Sequence, residues 1–263
     1  MRLPLAAMFC LLAPAAAPAH EFWLEPAETT SGSIEVRAFV GAEMAGEELA
    51  NFPTMQRTVD LYVGGKPEKL QGRMGDKPAF QFDPATDGLH VLRYESAGSL
   101  LTYDSYDKYL AFLDEAQQPQ LAAVHDSMGL SRDGIKEAFY RYAKALIAVG
   151  PGVGEDVFTG MTLELVAAEN PYQRDGDSVT FQLLLSGNPL PEAAMHVFIR
   201  DAGGNVSTLR LRSAAEGLVE VPVVQDGFYV VNAIQIFPAT PEVNRASGAN
   251  WISLWASSSF TVR

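Results

Sequence analysis

The chain has 263 residues, 48% of them hydrophobic, and sets 19 basic against 32 acidic side chains for a formal charge of −13. The acids are scattered rather than gathered in a tail, and this balance disfavours a phosphate-backbone ligand, so no nucleic-acid partner is expected. The single cysteine, Cys10, allows no disulfide within the chain, and it falls in a segment expected to be removed, so no thiolate metal site is expected either.

The first predicted element is an export signal. Arg2 gives a short positive start, residues 3–13 are apolar but too few to span a bilayer, and Ala17-Pro18-Ala19 has the small-x-small form of a cleavage site. Cleavage after Ala19 discards Cys10 and makes His20 the new N-terminus, at the head of His20-Glu21-Phe22-Trp23-Leu24-Glu25-Pro26. A terminal histidine offers a metal its α-amine and its ring Nδ1 together. Their reference pKa values, near ~8 and ~6.5, let both shed a proton at little cost around neutrality. A metal site at the mature N-terminus is the sharpest functional expectation. Nothing after residue 19 approaches ~18 consecutive apolar residues, so no membrane anchor is expected.

Strands follow. Residues 33–40, 58–63 and 88–94 alternate apolar and polar positions, with Gly64-Gly65 as a turn, and point to an antiparallel sandwich over 20–104. A helical insertion is predicted over 105–150. Asp107–Ala116 carries apolar residues at helical spacing, and so do Ile135, Phe139, Tyr142, Ala143, Leu146 and Ile147 after Ser131-Arg132-Asp133-Gly134. Gly150-Pro151-Gly152-Val153-Gly154 then breaks the chain, and residues 151–263 read as a second sandwich, with strand runs at 178–185, 196–199, 207–211, 217–223, 227–236 and 253–262. The expected fold is mainly β: two antiparallel immunoglobulin- or transthyretin-like sandwiches with helices between them.

The remaining chemistry-bearing residues read as architecture. Alternation places His90 on one face with Leu92 and Tyr94, where a half-buried histidine donating to a carbonyl is the plain expectation. His125 falls at a helix end or in the loop after it, and His196 alternates with apolar neighbours in a strand. Glu43, Glu47 and Glu48, or Asp83 with Asp87, make no calcium-loop pattern. Lys144, in the second predicted helix, is read as architectural first, a residue that could pair with a buried carboxylate. No Gly-x-Ser-x-Gly is present and no carboxylate spacing singles out an acid and a base, so the chain is read as non-enzymatic.

Several motifs in order resemble a known family: the His20–Pro26 string, Gly88–Tyr94, Tyr140–Leu146, Leu163–Val166 leading to Asn170-Pro171-Tyr172, and Trp251-Ile252-Ser253-Leu254-Trp255-Ala256-Ser257 before Phe260. The chain resembles a family of exported bacterial proteins of unassigned function, commonly described as the periplasmic component of a cobalt or nickel transport system. The resemblance implies a periplasmic location, handling of a divalent transition metal (nickel, cobalt or copper) and a membrane transporter component as partner. It also implies a ligand set of His20 with His90, and marks Gln235 where family members commonly carry a histidine. Acidic neighbours usual at the first tryptophan of the closing motif are here Asn250 and Ile252. Three imidazole and amine nitrogens favour Cu(II) over Ni(II), Co(II) and Zn(II) in the general affinity order. The alternative expectation is a β-sandwich interaction module that meets a protein or glycan through Trp251 or Trp255.

Overall fold

The protein is described by a computed structural model covering residues 20–30 and 32–262. The expected signal segment, residues 1–19, lies outside the described residues. In chain order come β1 (Glu21–Glu28), β2 (Ile34–Ala42), β3 (Ala45–Leu49), β4 (Gln56–Val63), β5 (Lys66–Lys69), β6 (Phe80–Phe82), β7 (Gly88–Ser96) and β8 (Ser99–Thr102). Two helices follow, α1 (Tyr106–Glu115) and α2 (Leu121–Ser127). The rest is β9 (Lys136–Val149), β10 (Leu163–Ala167), β11 (Ser178–Leu185), β12 (Asn188–Pro189), β13 (Ala194–Arg200), β14 (Val206–Arg212), β15 (Leu218–Pro222), β16 (Phe228–Pro238), α3 (Pro241–Ser247) and β17 (Trp251–Thr261).

The expected mainly-β sandwich architecture holds, and its layers share a sheet. A nine-stranded sheet in the order β14-β13-β16-β17-β9-β7-β4-β5, with β8 also on β9, draws strands from both sides of residue 150. Its pairs are antiparallel except β17 with β9, which run parallel. A four-stranded sheet of β1, β2, β3 and β6 covers one face, where Phe22, Leu24 and Val36 pack with Leu61, Leu92 and Ala145. A second sheet of β10, β11, β12 and β15 covers the other face, where Leu165 and Phe181 pack with Val197, Val231 and Phe260. The helices extend the first layer over β16 and β17, burying Tyr109, Phe112 and Leu113 against Ile234, Trp251 and Trp255. Among the described residues no helix is long and apolar enough to cross a membrane.

One predicted helix is corrected. Residues 136–149 form the long strand β9, and the second helix is α2, which begins at Leu121. The reason is that β9 is covered on both faces. Ala143, Ala145 and Ile147 belong to one core and Tyr142 and Leu146 to the other, so its apolar run is nearly continuous and mimics a helical period. Lys144 therefore lies on a strand, and it does meet buried carboxylates, Asp156 at 3.0 Å and Glu164 at 2.7 Å. Trp251 and Trp255 are 1% and 2% exposed. Those rings are core residues, not a docking surface.

Candidate metal pocket at the head of the first strand

The placement of His20 follows from how β1 is held. β1 is the edge of its sheet, and its free carbonyls need donors. The nine-stranded sheet supplies them: Ser257 Oγ donates to the Phe22 carbonyl at 2.7 Å and Ser259 Oγ to the Leu24 carbonyl at 2.5 Å. With Phe22 and Leu24 in the core under that sheet, alternation turns residues 21, 23 and 25 toward β13 and β16. Arg200 Nη2 meets Glu25 Oε1 at 2.6 Å, and Trp23 packs with Phe198 and Val230. One step further along the same ladder, Glu21 and His196 line one cavity.

That cavity measures about 480 Å3 and is walled by His20, Glu21, Glu43, Glu115 and His196 together with Arg210. The hairpin between β2 and β3 turns on Glu43 and Met44, with φ of 50° and 60°. Neither residue is the Asn or Gly that such a turn ordinarily takes, so the chain bears backbone strain where Glu43 enters the wall and Met44 packs beside Trp23. Gln117, also in the left-handed region at φ 55°, brings its Nε2 to 3.0 Å from His196 Nε2.

The pocket is short of hydrogen bonds. His20 Nδ1 and Glu21 Oε2 are buried without a partner, and so are both amide atoms of Asn232, which pairs directly with His196 in the sheet. Its charge state reflects this. Burial, with the charges of Glu115 and Glu43 adding, pushes the Glu21 carboxyl up to about 7, and burial also raises Glu115. Burial lowers both imidazoles, helped by Arg141 at His20 and by Arg210 at His196, so both are neutral at pH 7; His20 Nδ1 is free to coordinate, whereas His196 Nε2 accepts from the Gln117 amide and coordinates only by giving up that bond. Two neutral imidazoles beside carboxylates suit a borderline divalent metal. Among the described residues no three His, Cys, Asp or Glu side chains are already grouped at ligand spacing.

The structure does not bring His20, His90 and Gln235 together. The His20 carbonyl accepts from Arg141 Nη2 at 3.2 Å, whereas His90 pairs with Ile147, six residues along β9. At ~3.3 Å per residue that is ~20 Å of strand. His90 is 1% exposed, stacks on Phe82 and has its Nδ1 3.2 Å from the Gly88 carbonyl, the plain role that alternation suggested. Gln235 has the parity of Val231 and Ala233, which face the C-terminal core, and so lies across the sheet from Asn232 and His196. His125 is buried and fully occupied, accepting from Trp251 Nε1 at Nδ1 (3.1 Å) with its Nε2 3.0 Å from the Ser131 carbonyl. Sequence reasoning set His196 aside and did not weigh Glu21, Glu115 or Asn232 as donors. The equal two-residue steps of β1 and β13 are the one signal that could have joined them.

No curated protein matches the chain. Among solved structures it is similar, at 14% identity and a TM-score of 0.23, to the "tetra-tandem repeat in extending region of large adhesion protein", over 93% of this chain and 50% of that one. The chain thus spans half the length of that structure, and a likeness of this size carries no argument about function. A family profile described as "Domain of unknown function (DUF4198)" matches residues 17–236. The chain belongs to that family.

Proposed function

We propose that the chain, once processed to begin at His20, binds a divalent transition metal in the periplasm and holds it for a membrane transporter component. The ligands drawn from the pocket are the His20 α-amine and Nδ1, with Glu21, Glu115 and His196 as the side chains within the same walls. His90 and Gln235 take no part. The observation that carries the reading is the pair of buried, partnerless acceptors, His20 Nδ1 and Glu21 Oε2, in one cavity. Such atoms cost free energy unless something completes them. An amine and two imidazoles favour Cu(II), then Ni(II), then Co(II), and the family resemblance favours nickel or cobalt.

Titration calorimetry of the chain beginning at His20, beside the same chain with one glycine added before it, tests this with each metal in turn. The added residue removes the amine chelate. It is expected to weaken binding by more than about tenfold, the loss that even a displaced outer-shell partner brings. Equal affinities for the two chains would overturn the reading. His90→Phe, by contrast, leaves metal affinity unchanged.

A further inference from the structure

We propose a second binding site in this protein, for a small organic monocarboxylate held by Arg141 in the apolar cavity between the N-terminal sheet and β9. This site stands apart from the metal reading and would exist without it.

Among the described residues Arg141 is an arginine without an acid. Arg141 projects from β9 on the face of Phe139 and Ala143, toward β1. Arg93 on the neighbouring strand β7 and Arg200 on β13, in the same sheet, each meet a carboxylate, Glu95 at 2.7 Å and Glu25 at 2.6 Å. Among the described residues Arg141 meets none within ion-pair distance. Its guanidinium donates to the His20 carbonyl at 3.2 Å and lies 4.9 Å from the Phe139 ring and 5.9 Å from Phe22. The acid on its own strand face, Glu137, is engaged by the hydroxyls of Tyr103 and Ser253. Burial presses on the guanidinium, yet arginine keeps its proton at any ordinary pH, so a charge with five donors stands there with one carbonyl to serve it.

The second observation is space. A cavity of about 60 Å3 adjoins Arg141, walled by Phe22, Phe80, Tyr94 and Phe139, with Phe52 and Met55 at its rim. Those two side chains are 42% and 53% exposed, an apolar mouth on an otherwise strongly acidic surface. Tyr94 lies in the field of Arg141, and burial holds its hydroxyl up to about 12, so it is a neutral donor beside the cation. An apolar chamber with a few convergent polar groups is the ordinary form of a small-molecule site.

The chemistry of the walls selects the ligand. One guanidinium and one phenol match the two oxygens of a single carboxylate, whereas a phosphate or sulfate would leave further oxygens facing aromatic rings. The chamber takes the carboxylate group itself, and a short aliphatic tail runs out through the open mouth between Phe52 and Met55.

The test uses the chain beginning at His20, kept in chelator so that no metal contributes, and follows the Met55 methyl resonance during titration with sodium butyrate. Saturable shifts are expected for butyrate. Butanamide, which keeps the shape without the charge, should bind at least about tenfold more weakly, the value of one charge-assisted hydrogen bond. Arg141→Met should bring the same loss. Because Arg141 also holds the His20 carbonyl, Ala50→Phe supplies an independent variant: Ala50 lines the rim and is partly exposed, so the larger ring blocks entry without entering the core. It should abolish the shifts at unchanged melting temperature. The proposal is overturned if butyrate gives no saturable shift, if butanamide binds as well, if Arg141→Met retains affinity, or if only long-chain acids bind. A failed metal titration leaves these outcomes untouched.

Discussion

Two polar clusters withdrawn from water among the described residues are treated by their surroundings in opposite ways. At the first, Lys144 Nζ has three acceptors for its three protons: Asp156 Oδ1 at 3.0 Å, Glu164 Oε1 at 2.7 Å and the Val157 carbonyl at 2.7 Å. The carboxylates are occupied in turn, Asp156 by the amides of Val157 and Ala167, Glu164 by those of Thr159 and Met161 and by the Thr159 hydroxyl. All three side chains are fully buried, and together they fasten the segment after β9 to the nine-stranded sheet. At the second, around His20 and Glu21, buried donors and acceptors stand idle. A complete polar network contributes rigidity, and an incomplete one is a standing cost that a ligand can relieve. Architecture and site are told apart here by satisfaction, not by charge or burial.

The largest test breaks the complete network. Lys144→Met strands two buried carboxylates and is expected to lower stability by about 3–5 kcal/mol in urea denaturation. A loss below about 1 kcal/mol would erase the contrast. The next test works on the incomplete one. Because the folded-state pKa of Glu21 is raised to about 7 from 4.5, the native chain holds a proton that the unfolded chain releases between those values, and stability falls as pH rises through that window. Glu115 slopes the same way, while His20 and His196, lowered by burial, contribute stability that is present above their unfolded pKa and lost as pH falls. Glu21→Gln removes one term alone, so its gain in stability should be greater at pH 8 than at pH 5 by about 2 kcal/mol in metal-free protein. An equal effect at both values would mean that the carboxyl titrates normally. The smallest effect is expected from Asn232→Leu. Removing an amide with no partner should leave stability unchanged or raise it by about 1 kcal/mol, whereas an amide that does serve the fold would cost that much.

Exposure made some strands legible and turn residues made others. β2 and β4 alternate because one of their faces is partly solvated, whereas β7, β16 and β17, buried on both faces, are marked by β-branched and aromatic runs with turns before them. β9 did not alternate, because each of its faces meets a different core, and its buried run took on a helical period. Lys144 was legible as architecture, since a lone lysine in an apolar run needs a buried partner. The site was less so. His20 stood out, but its neighbours depend on serine contacts from β17 to β1 that span 235 positions in the chain, and no local pattern encodes them. Parity puts Gln235 on the face opposite Ile234 and Ile236, but that the helices cover the isoleucine face is not encoded in β16 itself.

The position of β17 has a consequence for biogenesis. This strand comes last of those described, yet it lies in the middle of the largest sheet, antiparallel to β16 on one side and parallel to β9 on the other. A nascent polypeptide lacking it leaves the facing edges of β16 and β9 unpaired, so the nine-stranded sheet cannot close until β17 has been made. Until then β16 and β9 face each other with no strand between them, and the largest sheet stands as two separate halves.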